Sequence, residues 1–203
     1  MAGTTLDAAE HGAKMARIKA AKDRLYASKT IEKGLLIVHT GTGKGKSTAA
    51  WGLAMRCLGY DLPIGVIQFV KGRRVPGERR LLDRFPDLVT IKVMGEGFTW
   101  ETQDRARDEA AARAAWDAAL EMLVDPTLHL LILDELNIVL RYDLLPLEEV
   151  LAGLAGRRSD LHVVVTGRNA KPELIEQADL VTEMKLLKHP FRAGVKGQLG
   201  IEF

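Results

Sequence analysis

Cysteine is nearly absent. Cys57 is the single one in 203 residues, so neither an intrachain disulfide nor a cysteine metal cluster can be built within one chain. No apolar run is long enough to cross a bilayer, and no signal peptide stands out. An excess of one charge is missing as well. Lys+Arg number 29 against 27 Asp+Glu, a net +2, which argues against a dedicated nucleic-acid binder, local basic patches aside. There is no internal repeat and no low-complexity segment. These absences lead to the expectation of a cytoplasmic, reducing setting with neither membrane nor nucleic acid as partner. What the chain does have is 47% hydrophobic residues, enough to bury the core of one α/β domain.

The most informative stretch runs from Gly34 to Met55. Leu35 to Val38 is a short apolar run that reads as a buried strand. Gly41, Gly43 and Gly45 follow at alternate positions, then Lys46, Ser47 and Thr48, then the helix-like run from Ala49 to Met55. Strand, glycine loop and helix together make a phosphate cradle. Glycines let backbone N–H groups turn inward, and the helix N-terminus favours negative charge. Lys46 can reach phosphate oxygens, and the Ser47 hydroxyl can hold Mg²⁺. The usual phosphate loop reads G-x-x-x-x-G-K-[ST]. Here Gly41 to Ser47 read G-x-x-x-G-K-S, one residue tighter. The dinucleotide fingerprint G-x-G-x-x-G does not fit, because Lys46 stands where its third glycine belongs. The short spacing suggests that the polyphosphate lies differently here from its pose in ordinary NTPases.

Further along, strands are expected at Ile64 to Val70, Val89 to Met94, Leu128 to Leu133, Leu161 to Val165 and Leu180 to Leu186. Helices are expected at Glu78 to Phe85, Gln103 to Val124, from Pro146 onward, and at Pro172 to Gln177. Trp116 lies on the apolar face of the long helix with Ala112, Ala119, Leu120 and Leu123, and reads as core. Alternating strands and helices predict one parallel sheet covered on both faces. Before the core, His11 to Lys29 form a basic amphipathic helix with Met15, Ile18 and Leu25 on its apolar side. That helix could pack on its own domain, or serve as an arm over an anionic ligand or a partner subunit. Its apolar stripe is thin for a membrane surface.

A second nucleotide signal is the apolar run Leu130 to Leu133 ending in Asp134 and Glu135. A strand that delivers carboxylates to the sheet's C-terminal edge is the partner of a phosphate loop, holding Mg²⁺ directly or through water. "Apolar run plus Asp-Glu" is weak alone and strong beside the glycine loop.

Taken together, these residues resemble the P-loop type of ATP:corrinoid adenosyltransferase. The resemblance rests on Gly41 to Ala50, Val66 to Gly72, Gly97-Phe98-Thr99-Trp100-Glu101-Thr102-Gln103, Leu133 to Leu136, Tyr142 to Val150, Thr166-Gly167-Arg168, and the tail motifs Lys188 to Phe191 and Gly194 to Gln198. The run from Gly97 to Gln103 is the most specific, since ordinary NTPases have no reason to carry it. Ser47 stands where many members have threonine, which keeps the hydroxyl. Lys33 stands where some have arginine, which keeps the charge but loses the fork.

The resemblance implies a three-layer, RecA-like α/β fold with a six-stranded parallel sheet of order 3-2-4-5-1-6. It implies residues 1–30 as an N-terminal basic helical arm and 31–203 as the adenosyltransferase domain. The substrates would be ATP and cob(I)alamin or a precursor corrinoid, with Mg²⁺ as cofactor. A homodimer and an electron-donating reductase are the expected partners. Gly41, Thr42, Gly43, Lys44, Gly45, Lys46, Ser47 and Thr48 would hold the triphosphate, with Lys44 and Arg56 as further contacts. Ser47, Glu135 and Asp134 would hold the metal. Lys46 would stabilise the leaving group, and Phe98 and Trp100 would press on the corrinoid's lower face. Three other readings compete: a small-molecule kinase, a RecA-like ATPase acting on nucleic acid, and a corrinoid carrier without turnover.

Overall fold

The computed structural model describes residues 7–70, 76–94 and 104–201. The chain divides into two compact units, Met1–Glu32 and Lys33–Phe203. The first holds helix α1 (Ala8–Ala27), with a Lys19–Asp23 ion pair one turn apart.

The second unit is built on six strands: β1 (Leu36–Thr40), β2 (Ile64–Gln68), β3 (Val89–Val93), β4 (Leu130–Asp134), β5 (His162–Thr166) and β6 (Leu180–Glu183). All neighbours pair in parallel, in the order β3-β2-β4-β5-β1-β6. Strands buried on both faces need continuous apolar runs, and β1 and β4 are buried at every position. Side chains alternate between faces, so each run feeds two cores. Val38, Ile67, Leu133 and Val165 enter one core with Trp116 of α4 (Arg105–Leu123). Ile37, Val66, Ile132 and Val164 enter the other with Ala50, Trp51 and Ala54 of α2 (Lys46–Leu58). This is the expected three-layer α/β arrangement, and Trp116 is fully buried as expected.

The other described helices are α3 (Gly77–Leu82), α5 (Leu136–Arg141), α6 (Leu147–Ala155) and α7 (Pro172–Gln177), with a 3-10 turn at Pro190–Ala193. One element has no assignment from the sequence, and another ends earlier than expected. The apolar segment after Glu135 is helix α5: Glu135 adopts a left-handed backbone (φ 64°) that turns the chain, and its carbonyl accepts from Ile138 N. Strand β6 stops at Glu183 rather than Leu186. Met184 N still donates to Thr40 O, but the Met184 carbonyl turns to Gly43 N.

At the opposite end of the sheet, Asp179 ties the entries of β1 and β6 together. It pairs with Lys33 and accepts from Leu36 N at 2.9 Å. These contacts hold its carboxyl below the usual aspartate range, the Lys33 hydrogen bond most of all.

Candidate functional site

Parallel pairing brings the tips of β1, β2, β4 and β5 to one edge of the sheet, where open α/β folds bind ligands. Thr40 ends β1, and residues 41–45 form the loop into α2. Gly41 has φ 96°, and a Cβ there would stand 2.5 Å from Met184 O. Only glycine fits both the left-handed backbone and this close approach. Gly43 N donates to Met184 O at 2.6 Å, which clamps the loop to the end of β6.

Lys46 opens α2 and is only 6% exposed. Its ammonium donates to the carbonyls of Gly41 (3.0 Å) and Gly43 (2.6 Å). Burial holds it below the ordinary lysine value. Glu135's charge opposes that, and Arg168 and Lys44 add to it. His39, buried on β1, meets the Lys46 carbonyl through Nδ1 at 3.3 Å, and burial lowers its pKa.

The acidic half of the site is assembled from four elements. Asp134 Oδ1 accepts from Ser47 Oγ at 2.9 Å and from Thr166 Oγ1 at 2.7 Å. Its Oδ2 accepts from Gln68 Nε2 at 3.3 Å, across the β2–β4 register pair Gln68↔Asp134. The Thr166 hydroxyl also accepts from Glu135 N at 2.9 Å. Glu135 Oε2 is buried and has no hydrogen-bond partner. Burial pushes its carboxyl up to about 7. Asp134's charge works in the same direction, while Lys46 and Arg168 pull back. Behind it, Asn137 Nδ2 donates to Gly167 O at 3.0 Å. Gly167 has φ 125°, and a Cβ there would lie 2.8 Å from Asn137 Cβ and 3.1 Å from Glu135 Oε2.

These donors fit a small, hard cation. Two carboxylates and a hydroxyl offer only oxygen, and the orphaned Glu135 Oε2 is a buried acceptor in want of a positive partner. No group of three or more His, Cys, Asp or Glu side chains suited to a metal occurs among the described residues. An all-protein cage is therefore not what the site offers. Mg²⁺ is commonly held by one or two carboxylates together with substrate phosphates and water.

The expected site residues fall into three groups. The structure brings Gly41, Gly43, Gly45, Lys46, Ser47, Asp134 and Glu135 to one edge, with Thr42, Lys44 and Thr48 exposed on the loop and first helical turn. Arg56 is not brought there. It is exposed in the last turn of α2, and ten residues at ~1.5 Å each put it about 15 Å along the axis from Lys46. Arg56, expected as a further phosphate contact, is therefore not among the residues that the loop itself gathers. Phe98 and Trp100 lie outside the described residues. Sequence reasoning missed Gln68, Thr166 and Asn137 as parts of the site. Gln68 and Thr166 end the strands on either side of β4, a signal that the expected strand order already contained.

Known proteins match this sequence over most of its length. A corrinoid adenosyltransferase of Sinorhizobium sp is 53% identical over 199 residues, covering 97% of this chain and 93% of that protein. The corrinoid adenosyltransferase of Pseudomonas aeruginosa is 52% identical over 193 residues, covering 95% of each. That of Salmonella typhimurium is 46% identical over 187 residues, covering 92% and 94%. No described helix is long and apolar enough to cross a membrane. The profile of one family spans residues 32–203, from before the first strand to the end, and the chain belongs to that family, ATP:corrinoid adenosyltransferase BtuR/CobO/CobP.

Proposed function

We propose that this corrinoid adenosyltransferase moves the 5′-deoxyadenosyl group of ATP onto the Co(I) centre of a reduced corrinoid, with inorganic triphosphate as the leaving group. An electron pair of Co(I) forms the Co–C5′ bond while the C5′–O5′ bond breaks, and its electrons leave on the triphosphate. No proton is transferred, so no side-chain base is needed. The chain's task is to hold C5′ in line and to stabilise the departing charge. Lys46 and the loop amides do this from one side, and Ser47, Asp134 and Glu135 would hold Mg²⁺ on the other. Mg²⁺, when bound there, supplies positive charge to the triphosphate oxygens.

The observation that carries the reading is the meeting of the shortened loop with the buried Glu135 Oε2, which has no hydrogen-bond partner among the described residues, at one sheet edge. A loop tighter by one residue suits a triphosphate lying in reverse, with C5′ rather than the terminal phosphorus open to attack. Phe98 and Trp100 would press on the lower face of the corrinoid, exclude water and displace the lower ligand, which eases reduction of Co(II). An electron-donating reductase and a second copy of the chain complete the proposed system, which works in the cytoplasm.

The test is a single turnover with chemically reduced corrinoid, ATP and Mg²⁺. Alkylated corrinoid and inorganic triphosphate should form in equal amounts. Release of ADP would support a kinase instead, and corrinoid binding without alkylation would support a carrier.

A further inference from the structure

The hydroxyl of Thr166 touches both acidic residues of the site at once. It donates to Asp134 Oδ1 at 2.7 Å and accepts from Glu135 N at 2.9 Å. One side chain from β5 therefore orients the carboxylate of Asp134 and satisfies the backbone of Glu135, which sits at φ 64°. A left-handed conformation is costly for a non-glycine residue and persists only where its surroundings over-determine it. The direction of the Thr166 proton is also settled by chemistry. The Glu135 amide can only donate, so the hydroxyl accepts from it and turns its own proton to the carboxylate. Thr166 is fully buried, and so is Asn137, whose amide holds the next carbonyl, that of Gly167. The Asn137 amide orientation follows from the same reasoning, since a carbonyl needs a donor.

We propose that Thr166 is a positioning residue for the divalent-cation site. Its hydroxyl holds Asp134 and Glu135 in the arrangement that receives the metal, and does not itself touch metal or nucleotide. Thr166 sits at the tip of the strand between the loop-bearing β1 and the acid-bearing β4, so it joins the two halves of the site. Ser47 reaches the same Asp134 oxygen from the α2 side at 2.9 Å. Among the described residues, loss of the Thr166 hydroxyl leaves Ser47 as the remaining donor to that oxygen and takes away the acceptor of Glu135 N. Partners that orient metal ligands typically contribute ~10–100-fold in metal affinity.

This inference rests on the proposed Mg²⁺ role of Asp134 and Glu135, and the experiment separates the two. ATP binding is measured by calorimetry without corrinoid, once with saturating Mg²⁺ and once with EDTA, for the full chain and for Thr166→Val, Thr166→Ala and Thr166→Ser. Thr166→Val should lower the Mg²⁺-dependent part of ATP affinity about tenfold and leave affinity in EDTA within about twofold. Thr166→Ser should restore the unsubstituted behaviour. Thr166→Ala gives the same readout should the valine variant fail to fold. Unchanged Mg²⁺ dependence without the hydroxyl, an equal loss in EDTA, or a serine variant as weak as valine would each overturn the inference. If the unsubstituted chain shows no Mg²⁺ dependence at all, the metal reading itself fails.

Discussion

Lys46 turns its ammonium back onto the Gly43 carbonyl, at 2.6 Å. The loop therefore solvates its own cation, with Gly41 O as a second acceptor at 3.0 Å. To reach a phosphate, the ammonium must release or share these carbonyls. Gly43 N is likewise engaged by Met184 O, so nucleotide entry must compete with contacts the chain already makes.

Lys46→Ala should lower the single-turnover alkylation rate on chemically reduced corrinoid by about 100-fold or more. Stopped-flow absorbance at saturating ATP would measure it. A rate within about threefold of the unsubstituted chain would remove Lys46 from the mechanism.

Glu135 sets a pH dependence of stability. Its folded pKa of about 7 lies above the ordinary glutamate value, chiefly through burial. The folded chain therefore holds a proton that the unfolded chain loses first. The resulting stabilisation is complete below about pH 4.3 and is lost as pH rises to about 7. Without nucleotide or metal, Glu135→Gln should be more stable than the parent near pH 8, by roughly 1–3 kcal/mol. Near pH 4 this advantage should disappear. Denaturant titrations at both values would show it, and a constant difference between the two proteins would contradict the assignment.

Trp100→Ala should retain ATP binding and near-parental alkylation when Co(I) is supplied directly. Starting from Co(II) with a reductant, it should lose about tenfold or more of the rate, because its proposed role is in the cofactor's axial environment. Equal losses on both substrates would end the wedge reading.

Gly153 on α6 faces Trp116 of α4. A Cβ there would come to 2.6 Å from Trp116 Cζ2 and 3.0 Å from Leu120 Cδ2. Alanine favours a helix over glycine, but the indole is fully buried and cannot retreat without disturbing its core. Gly153→Ala should destabilise the fold by about 1–3 kcal/mol. Chemical denaturation would register it, and a stabilised variant would mean that the α4–α6 contact yields more easily than its packing indicates.

Much of the fold was legible because its determinants are local. The runs of β1, β2, β4 and β5 are short, apolar and bounded by turn residues, a pattern consistent with buried strands. The phosphate loop was legible for a stronger reason. Its backbone shape depends on its own glycines, Gly41 at φ 96° and Gly45 at φ 106°, and its chemistry on the two residues that follow. Helix α5 was not assigned from the sequence, and the left-handed turn at Glu135 that begins it depends partly on a hydroxyl 31 positions away.

By itself, then, the order of residues determined the strands, the glycine cradle, the acidic pair and the resemblance that identified the chemistry. The resemblance already implied that β2 and β5 flank β4, and tertiary structure decided that the side chains of Gln68 and Thr166 reach the Asp134 carboxylate, from 66 and 32 positions away. The physical reason for the division is range. Backbone conformation answers to near neighbours, whereas the pKa, the hydrogen-bond partners and the orphaned oxygen of a buried carboxylate answer to whatever the sheet order places beside it.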